Sequence, residues 1–245
     1  MADSWWKSTL YSSEQFVEAC GAVVFDTSTE PKQVLLLYDA ESDEWVLPKG
    51  RRNCRESRIA AAIREVREES GCAIRPLPVT MATRAPSELE PADVEDTPRT
   101  YDSLTEAFML DVRDLDRGEA NSAHRSRVKL VWWFVAEFGG VVGEGEPQFR
   151  AEFARCDAAV GRLTFQKDRE VLAKAIDLVD RTAAARGRRA ANGMEAAAAA
   201  AAAAVPRNYD GMGFRDGASG YGVAQSGGFS SLGNNGMGGE VVSAS

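Results

Sequence analysis

Between Leu47 and Cys72 the chain reads LPKGRRNCRESRIAAAIREVREESGC, and this stretch constrains the fold more than any other. Asn53 followed three residues later by Glu56 has the form of a capping box, and Gly71 after Ser70 that of a stop, so the pattern predicts a helix over 56–70. At about 100° per residue, Glu69 falls about 40° to one side of Glu65 and Glu68 about 60° to the other. Three carboxylates thus share one flank, beside an apolar stripe of Ile59, Ala62, Ile63 and Val66. The stripe would anchor the helix and leave the acids at its edge. Like charges at this spacing destabilise an isolated helix, so something must compensate. Arg64 and Arg67 could bridge back to them. A hard divalent cation is the other solution, because carboxylate oxygens suit Mg²⁺ that shares its shell with substrate phosphates. The residues alone leave both open, and a solvated charged face is the commoner outcome.

The chain around that helix reads as one mixed domain. Apolar, β-branched runs predict strands over 20–26, 33–38, 45–47, 73–83, 104–112 and 128–138, with a second helix from Asp168 to about Ala185 and a short one capped by Asp157. The proline-rich, acidic stretch Ala85–Tyr101 and the glycine-rich stretch Gly139–Pro147 read as long loops. Composition changes near residue 182, giving three parts: an N-terminal extension (1–17), a domain (18–181) and a low-complexity tail (182–245). Gly, Ser and Asn dominate the tail, which buries too little apolar surface to offset its ordering entropy and is expected to be disordered. Its alanine run, Ala196–Ala204, could continue the preceding helix until Pro206 stops it.

Charge and composition exclude several classes. With 29 Lys and Arg against 37 Asp and Glu the net charge is −8, which disfavours general nucleic-acid binding. No run of about 18 apolar residues is present to cross a membrane, and the start lacks a secretory pattern. Cys20, Cys54, Cys72 and Cys156 are scattered, which suits a reducing cytoplasmic or nuclear compartment better than a disulfide framework or a zinc site. His124 is the only histidine and no GxSxG elbow accompanies it, so a Ser/His/Asp hydrolase is not indicated. Trp132, Trp133 and Phe134 are consecutive, so a strand would send them to both faces, at least one into the core. Trp5 and Trp6 receive no role.

Gly50, Glu56, Arg64, Glu65, Val66, Glu68, Glu69 and Gly71, at their spacing and ending in Cys72 where an aliphatic residue is usual, resemble the Nudix box of the Nudix hydrolase superfamily. The resemblance implies an α+β fold, a mixed sheet sandwiched between helices. It implies hydrolysis of a phosphoanhydride with Mg²⁺, or Mn²⁺ in its place, held by Glu65, Glu69 and the Gly50 carbonyl. Glu68 would be the general base, Arg64 would orient the carboxylates, and Glu56 would support the ligands from behind. Glu106 and Glu137 are alternative bases from outside the box.

Lys49, Arg51, Arg52, Arg55 and Arg58 crowd the entry to the box helix. Guanidinium groups bind phosphate in a bidentate way, so Lys49, Arg51 and Arg52, with Arg84 and the Arg127–Lys129 pair, are candidates for gripping an anionic polyphosphate. The WVLPKGR and VTMATRAP segments are similar to the fungal diphosphoinositol polyphosphate and dinucleoside polyphosphate hydrolase branch. Animal members of that branch carry a basic cluster at the start of the first strand, where this chain has Phe16, Val17, Glu18 and Ala19. Capped RNA or ADP-ribose as substrate, and a catalytically silent domain that binds a phosphorylated ligand or a protein, are the alternatives.

Overall fold

The computed structural model describes residues 7–91, 93–115 and 128–203, with backbone only for 197–203. His124, Arg127, Trp5, Trp6 and the tail beyond 203 lie outside the described residues. The chain divides into two compact units, 1–199 and 200–245. Of the second, only the last helical turn, 200–203, is described.

A long parallel pair forms the spine of the first unit: β1 (Phe16–Asp26) runs beside β9 (Val128–Val141) from Phe16 opposite Val128 to Phe25 opposite Glu137. Shorter antiparallel strands flank it at both ends. β4 (Lys49–Arg51) and β8 (Met109–Asp114) join the first halves of β1 and β9; β2 (Gln33–Asp39) and β5 (Cys72–Pro76) join the second halves. β10 (Phe149–Arg155) extends the sheet beyond β2, and β3 (Glu44–Val46) pairs with the second half of β2, Leu37–Asp39. β6 (Val79–Thr83) and β7 (Arg99–Leu104) form a separate hairpin.

Alternation along the spine feeds two cores. On one face Cys20, Ala22, Val24, Phe134 and Ala136 pack under helix α1 (Arg58–Ser70) through Ala61, Ala62 and Val66. On the other, Ala19, Val23, Phe25, Val131 and the fully buried Trp133 pack against α2 (Cys156–Arg162) and α3 (Gln166–Ala203). The expected α+β sheet between helices is therefore observed.

Several local expectations need correction. The box helix begins at Arg58, because Ser57 caps it by accepting from the Ala60 N–H, while Arg55 at φ 66° breaks the chain before it. Half of the anticipated capping box survives as a turn, the Asn53 N–H donating to Glu56 Oε2 at 2.9 Å. The run 73–83 is two strands in two sheets, because Pro76 and Pro78 interrupt the ladder. The run 104–112 likewise divides at Thr105–Phe108 between β7 and β8. Arg155, not Asp157, occupies the N-cap of α2, and Asp157 pairs with Arg155 instead. β4 and β10 were not anticipated, and α3 passes residue 182 unbroken as far as Ala203. Beyond 182 that helix is tied to the hairpin: Thr182 Oγ1 accepts from the Thr80 N–H, Arg186 donates to the Pro78 carbonyl, and Arg189 pairs with Asp102.

Candidate active site

Gly50 and helix α1 meet at the point where β4 leaves the sheet. Gly50 stands opposite Cys20 and so faces the helix. A Cβ at Gly50 would lie 1.7 Å from Glu65 Oε2, so only the absence of a side chain lets the carboxylate rest there. One turn on, Glu69 Oε2 accepts the Lys49 N–H at 2.9 Å. The helix thus turns its acids toward β4 rather than to solvent, and Glu65 is only 9% exposed. The buried face of α1 is Ala61, Ala62, Glu65, Val66 and Ser70, rotated from the expected stripe toward Glu65, with Ile63 left half-buried.

Arg64 organises the flank. Its guanidinium donates to both oxygens of Glu56 (2.8 and 3.0 Å), to Glu65 Oε1 and Glu68 Oε2 (each 2.7 Å) and to the Arg51 carbonyl (2.9 Å). Arg64 beside Glu56 holds that carboxyl down to about 2. Burial does the opposite deeper in: it raises Glu65 against the pull of Arg64, and it pushes Glu69 up to about 8 against the pull of Lys49. Desolvation of the charged form is the leading cause at both, and the negative charge of Glu146 adds to each rise.

Glu146 had not been singled out from the sequence. It lies in the Gly139–Pro147 stretch, between β9 and β10, and its N–H donates to the Glu68 carbonyl at 2.9 Å. Two glycines allow the loop to close on the end of α1: a Cβ on Gly145 would meet the Glu69 carbonyl at 2.4 Å, and one on Gly71, at φ 71°, the Gly143 carbonyl at 2.3 Å. An acid between glycine and proline in a loop long enough to fold back is the one signal that pointed here.

The remaining candidates separate. Arg52 is committed to Glu18 (Nε–Oε2 2.8 Å) and to the Glu56 carbonyl (2.8 Å), which holds the entry loop to β1. Arg84 pairs with Asp96 at 3.1 Å in the loop after β6. Glu137 is held by Arg75 and Thr27, and Glu106 lines an open cleft of about 670 Å³ with Glu18, Arg58 and Trp132. Lys49 and Arg51 sit on β4 beside Gly50, and Glu68 lies exposed at the edge of the Arg64 network.

The site suits a hard cation. Glu65 and Glu69 are oxygen donors one turn apart whose burial disfavours bare charge, and a backbone strand without a side chain lies against them. Among the described residues no three His, Cys, Asp or Glu side chains converge by themselves. A cation held by Glu65, Glu69 and the Gly50 carbonyl would have fewer protein oxygens than the octahedral shell that Mg²⁺ takes, leaving positions for water or substrate oxygens.

Residues 16–156 match the NUDIX domain, more than half of the chain. The chain belongs to the NUDIX domain family. It is a Nudix pyrophosphohydrolase by that membership. No curated protein sequence matches it significantly. Its fold is similar to that of a MutT protein from Bacillus halodurans (19% identity, 64% of this chain and 79% of that one, TM-score 0.43). It is also similar to the Ap4A hydrolase of C. elegans (16% identity, 67% and 98%, TM-score 0.41) and to the dihydroneopterin triphosphate pyrophosphohydrolase of E. coli (13% identity, 68% and 97%, TM-score 0.41).

Proposed function

We propose that the chain uses Mg²⁺, or Mn²⁺ in its place, to hydrolyse a phosphoanhydride bond in a diphosphate linked to another moiety, with diphosphoinositol polyphosphates and dinucleoside polyphosphates as the substrate class. The observation that carries this reading is the pair Glu65 and Glu69, buried against Gly50 and the Lys49 N–H with their carboxyls held above the usual range. Glu65 shares the single Arg64 guanidinium with Glu56 and Glu68, and Glu69 meets only the Lys49 N–H and the longer-range charge of Lys49; buried carboxylates so incompletely offset are costly, and a divalent cation relieves that cost.

When bound, the cation polarises a phosphate oxygen and makes a bound water more acidic. The rest belongs to the chain. Arg64 fixes Glu65 and Glu68 relative to Glu56, so neither acid swings freely. Glu68, exposed at the rim, accepts the proton of the attacking water; Glu146, whose N–H is tied to the Glu68 carbonyl, is the second candidate for that proton. Lys49 and Arg51 bind the anionic substrate beside β4, and Glu56 supports Arg64 from behind. The four free cysteines are consistent with work in the cytoplasm or nucleus.

The test is purified protein with Mg²⁺ and a panel of diphosphoinositol polyphosphates, dinucleoside polyphosphates, capped RNA, ADP-ribose and deoxynucleoside triphosphates. Cleavage of the first two classes ahead of the others is the expected result, read by chromatography as orthophosphate plus the shortened inositol polyphosphate, or as two mononucleotides. Cleavage of none, under several divalent cations, would point instead to a domain that only binds.

A further inference from the structure

Glu18 precedes Cys20, Ala22 and Val24 in the row of β1 side chains that faces α1, a row otherwise apolar. Nothing in sheet packing calls for a charge there. Its side chain is 9% exposed, and a carboxylate so placed is costly unless it is paired. Three side chains converge on it: Arg52 from the entry loop (Nε–Oε2 2.8 Å), Arg58 at the start of α1 (Nε–Oε1 2.8 Å) and Trp132 on β9 (Nε1–Oε1 3.0 Å). The Arg58 guanidinium also lies over the Trp132 ring, 4.0 Å from its centroid. Burial would raise the Glu18 carboxyl, but the bonds from Arg58, Trp132 and Arg52 outweigh it and hold the carboxyl below the usual range. Glu18 is a fixed anion at the edge of the α1 core.

Arg52 carries the constraint onward. Its Nη1 donates to the Glu56 carbonyl at 2.8 Å, and its backbone N–H donates to the Glu18 carbonyl at 3.0 Å. It therefore closes the 53–56 turn onto β1. Within that turn Arg55 holds φ 66°, a conformation that costs a non-glycine residue and persists only where the surroundings enforce it. The turn presents Glu56 to Arg64, and Arg64 in turn holds Glu65 and Glu68. From Glu18 to Glu65 every link is thus a hydrogen bond or an ion pair. Arg58 adds a second tie, because it fixes the first residue of the helix that bears both acids to the same carboxylate.

We infer that Glu18 is a positioning residue for hydrolysis: through Arg52 and Arg58 it fixes the turn and the start of α1, and so the orientation of Glu65 and Glu68. In this role it touches neither the cation nor the substrate. The inference deepens the hydrolytic reading and rests on it for the reaction whose acids are aimed. Relaxing the tether should cost turnover and cation affinity. It should spare substrate affinity, because Arg51 and Lys49 stand opposite Ala19 and Gly21 and so lie on the other face of the sheet.

Two measurements on the full chain test it: steady-state kinetics with Mg²⁺ and the preferred substrate of the panel, and Mn²⁺ binding followed by electron paramagnetic resonance without substrate. Glu18→Gln keeps the shape of the side chain and loses its charge. It should lower kcat about tenfold or more and weaken Mn²⁺ binding to a similar degree, the range for groups that orient metal ligands. KM should stay within about twofold of the parent. The losses in Glu18→Gln and Arg52→Gln should not add when the two are combined, because both cut one path. Glu152→Gln, which breaks the ion pair between β10 and Arg162, should change neither readout. Should Glu18→Gln fail to fold, Arg52→Gln carries the test, since Arg58 still offsets Glu18 there. A folded variant whose kcat or Mn²⁺ affinity stays within about twofold of the parent, a KM that rises as far as kcat falls, or losses that add fully in the double variant would overturn the positioning role. If the parent hydrolyses none of the panel, Mn²⁺ binding decides alone. Weaker binding in Glu18→Gln then upholds the tether and removes the hydrolytic reading, whereas equal binding, or none in either protein, overturns the inference.

Discussion

A carboxyl held at about 8 by burial, as at Glu69, exchanges its proton near neutral pH, whereas its ordinary value is 4.5. The folded, metal-free protein therefore binds a proton that the unfolded chain has released across that interval. Its stability falls as pH rises from about 4.5 toward 8. Melting curves in chelator should show this decline in the parent and a flatter profile for Glu69→Gln, and Mg²⁺ should restore the parent at pH 8 while releasing protons. Turnover of Glu69→Gln should fall about a hundredfold or more; full activity in that variant would remove Glu69 from the cation's shell. Arg64 makes a separate prediction. A lysine there cannot reproduce a planar fork that serves three carboxylates and a carbonyl. Arg64→Lys should cost about 1–3 kcal/mol of stability and lower turnover, and an unchanged melting temperature would show that the network carries no load.

At the level of elements, the three residues of β4 matter beyond their length. In Gly50→Ala the new methyl meets only the far end of the Glu65 side chain, so the strand should survive and the carboxylate should move. We expect a nearly normal melting temperature with strongly reduced turnover; comparable losses of both would mean the strand itself had failed. The box helix was legible because its acids, apolar positions and terminal glycine repeat at a helical period. Its first turn was not, because Asn53–Glu56 satisfies the same backbone group in a turn that Arg55 then leaves through a positive φ. β10, FRAEFAR, escaped notice because its alternation is mostly of charge and only Ala154 is buried. The extension of α3 was masked by composition: Ala and Arg favour helix but bury little, and the contacts of Thr182, Arg186 and Arg189 with the β6–β7 hairpin are long-range. Arg189→Ala combined with Thr182→Val should speed hydrogen exchange in that hairpin and leave the α1 amides as protected as before.

For the whole molecule, every residue of the two cores lies at or before Val179. Removing residues 204–245 should therefore leave both turnover and melting temperature close to the parent values, and a large drop in either would show that the tail supports the domain. The candidate site could be read more fully than the fold around it, since Gly50, Glu65 and Glu69 are local in sequence. Lys129 and Arg113 come beside β1 and β4 only through strand pairing and Glu146 meets α1 only through the loop between β9 and β10, and nothing in the order of residues announces that Val17 will lie beside Lys129.

That pairing has a bearing on biogenesis. By the time residue 72 is made, the box with its acids and arginine is complete, yet β1 still lacks the neighbour it meets residue by residue from Phe16 to Phe25. During translation the ribosome must release the chain through about Glu137 before either core can close. The face of the first strand that packs on α2 and α3 stays open to chaperones until Val179 has emerged as well, and a nascent chain stalled before residue 128 is expected to be captured by them while one stalled well past 179 is not.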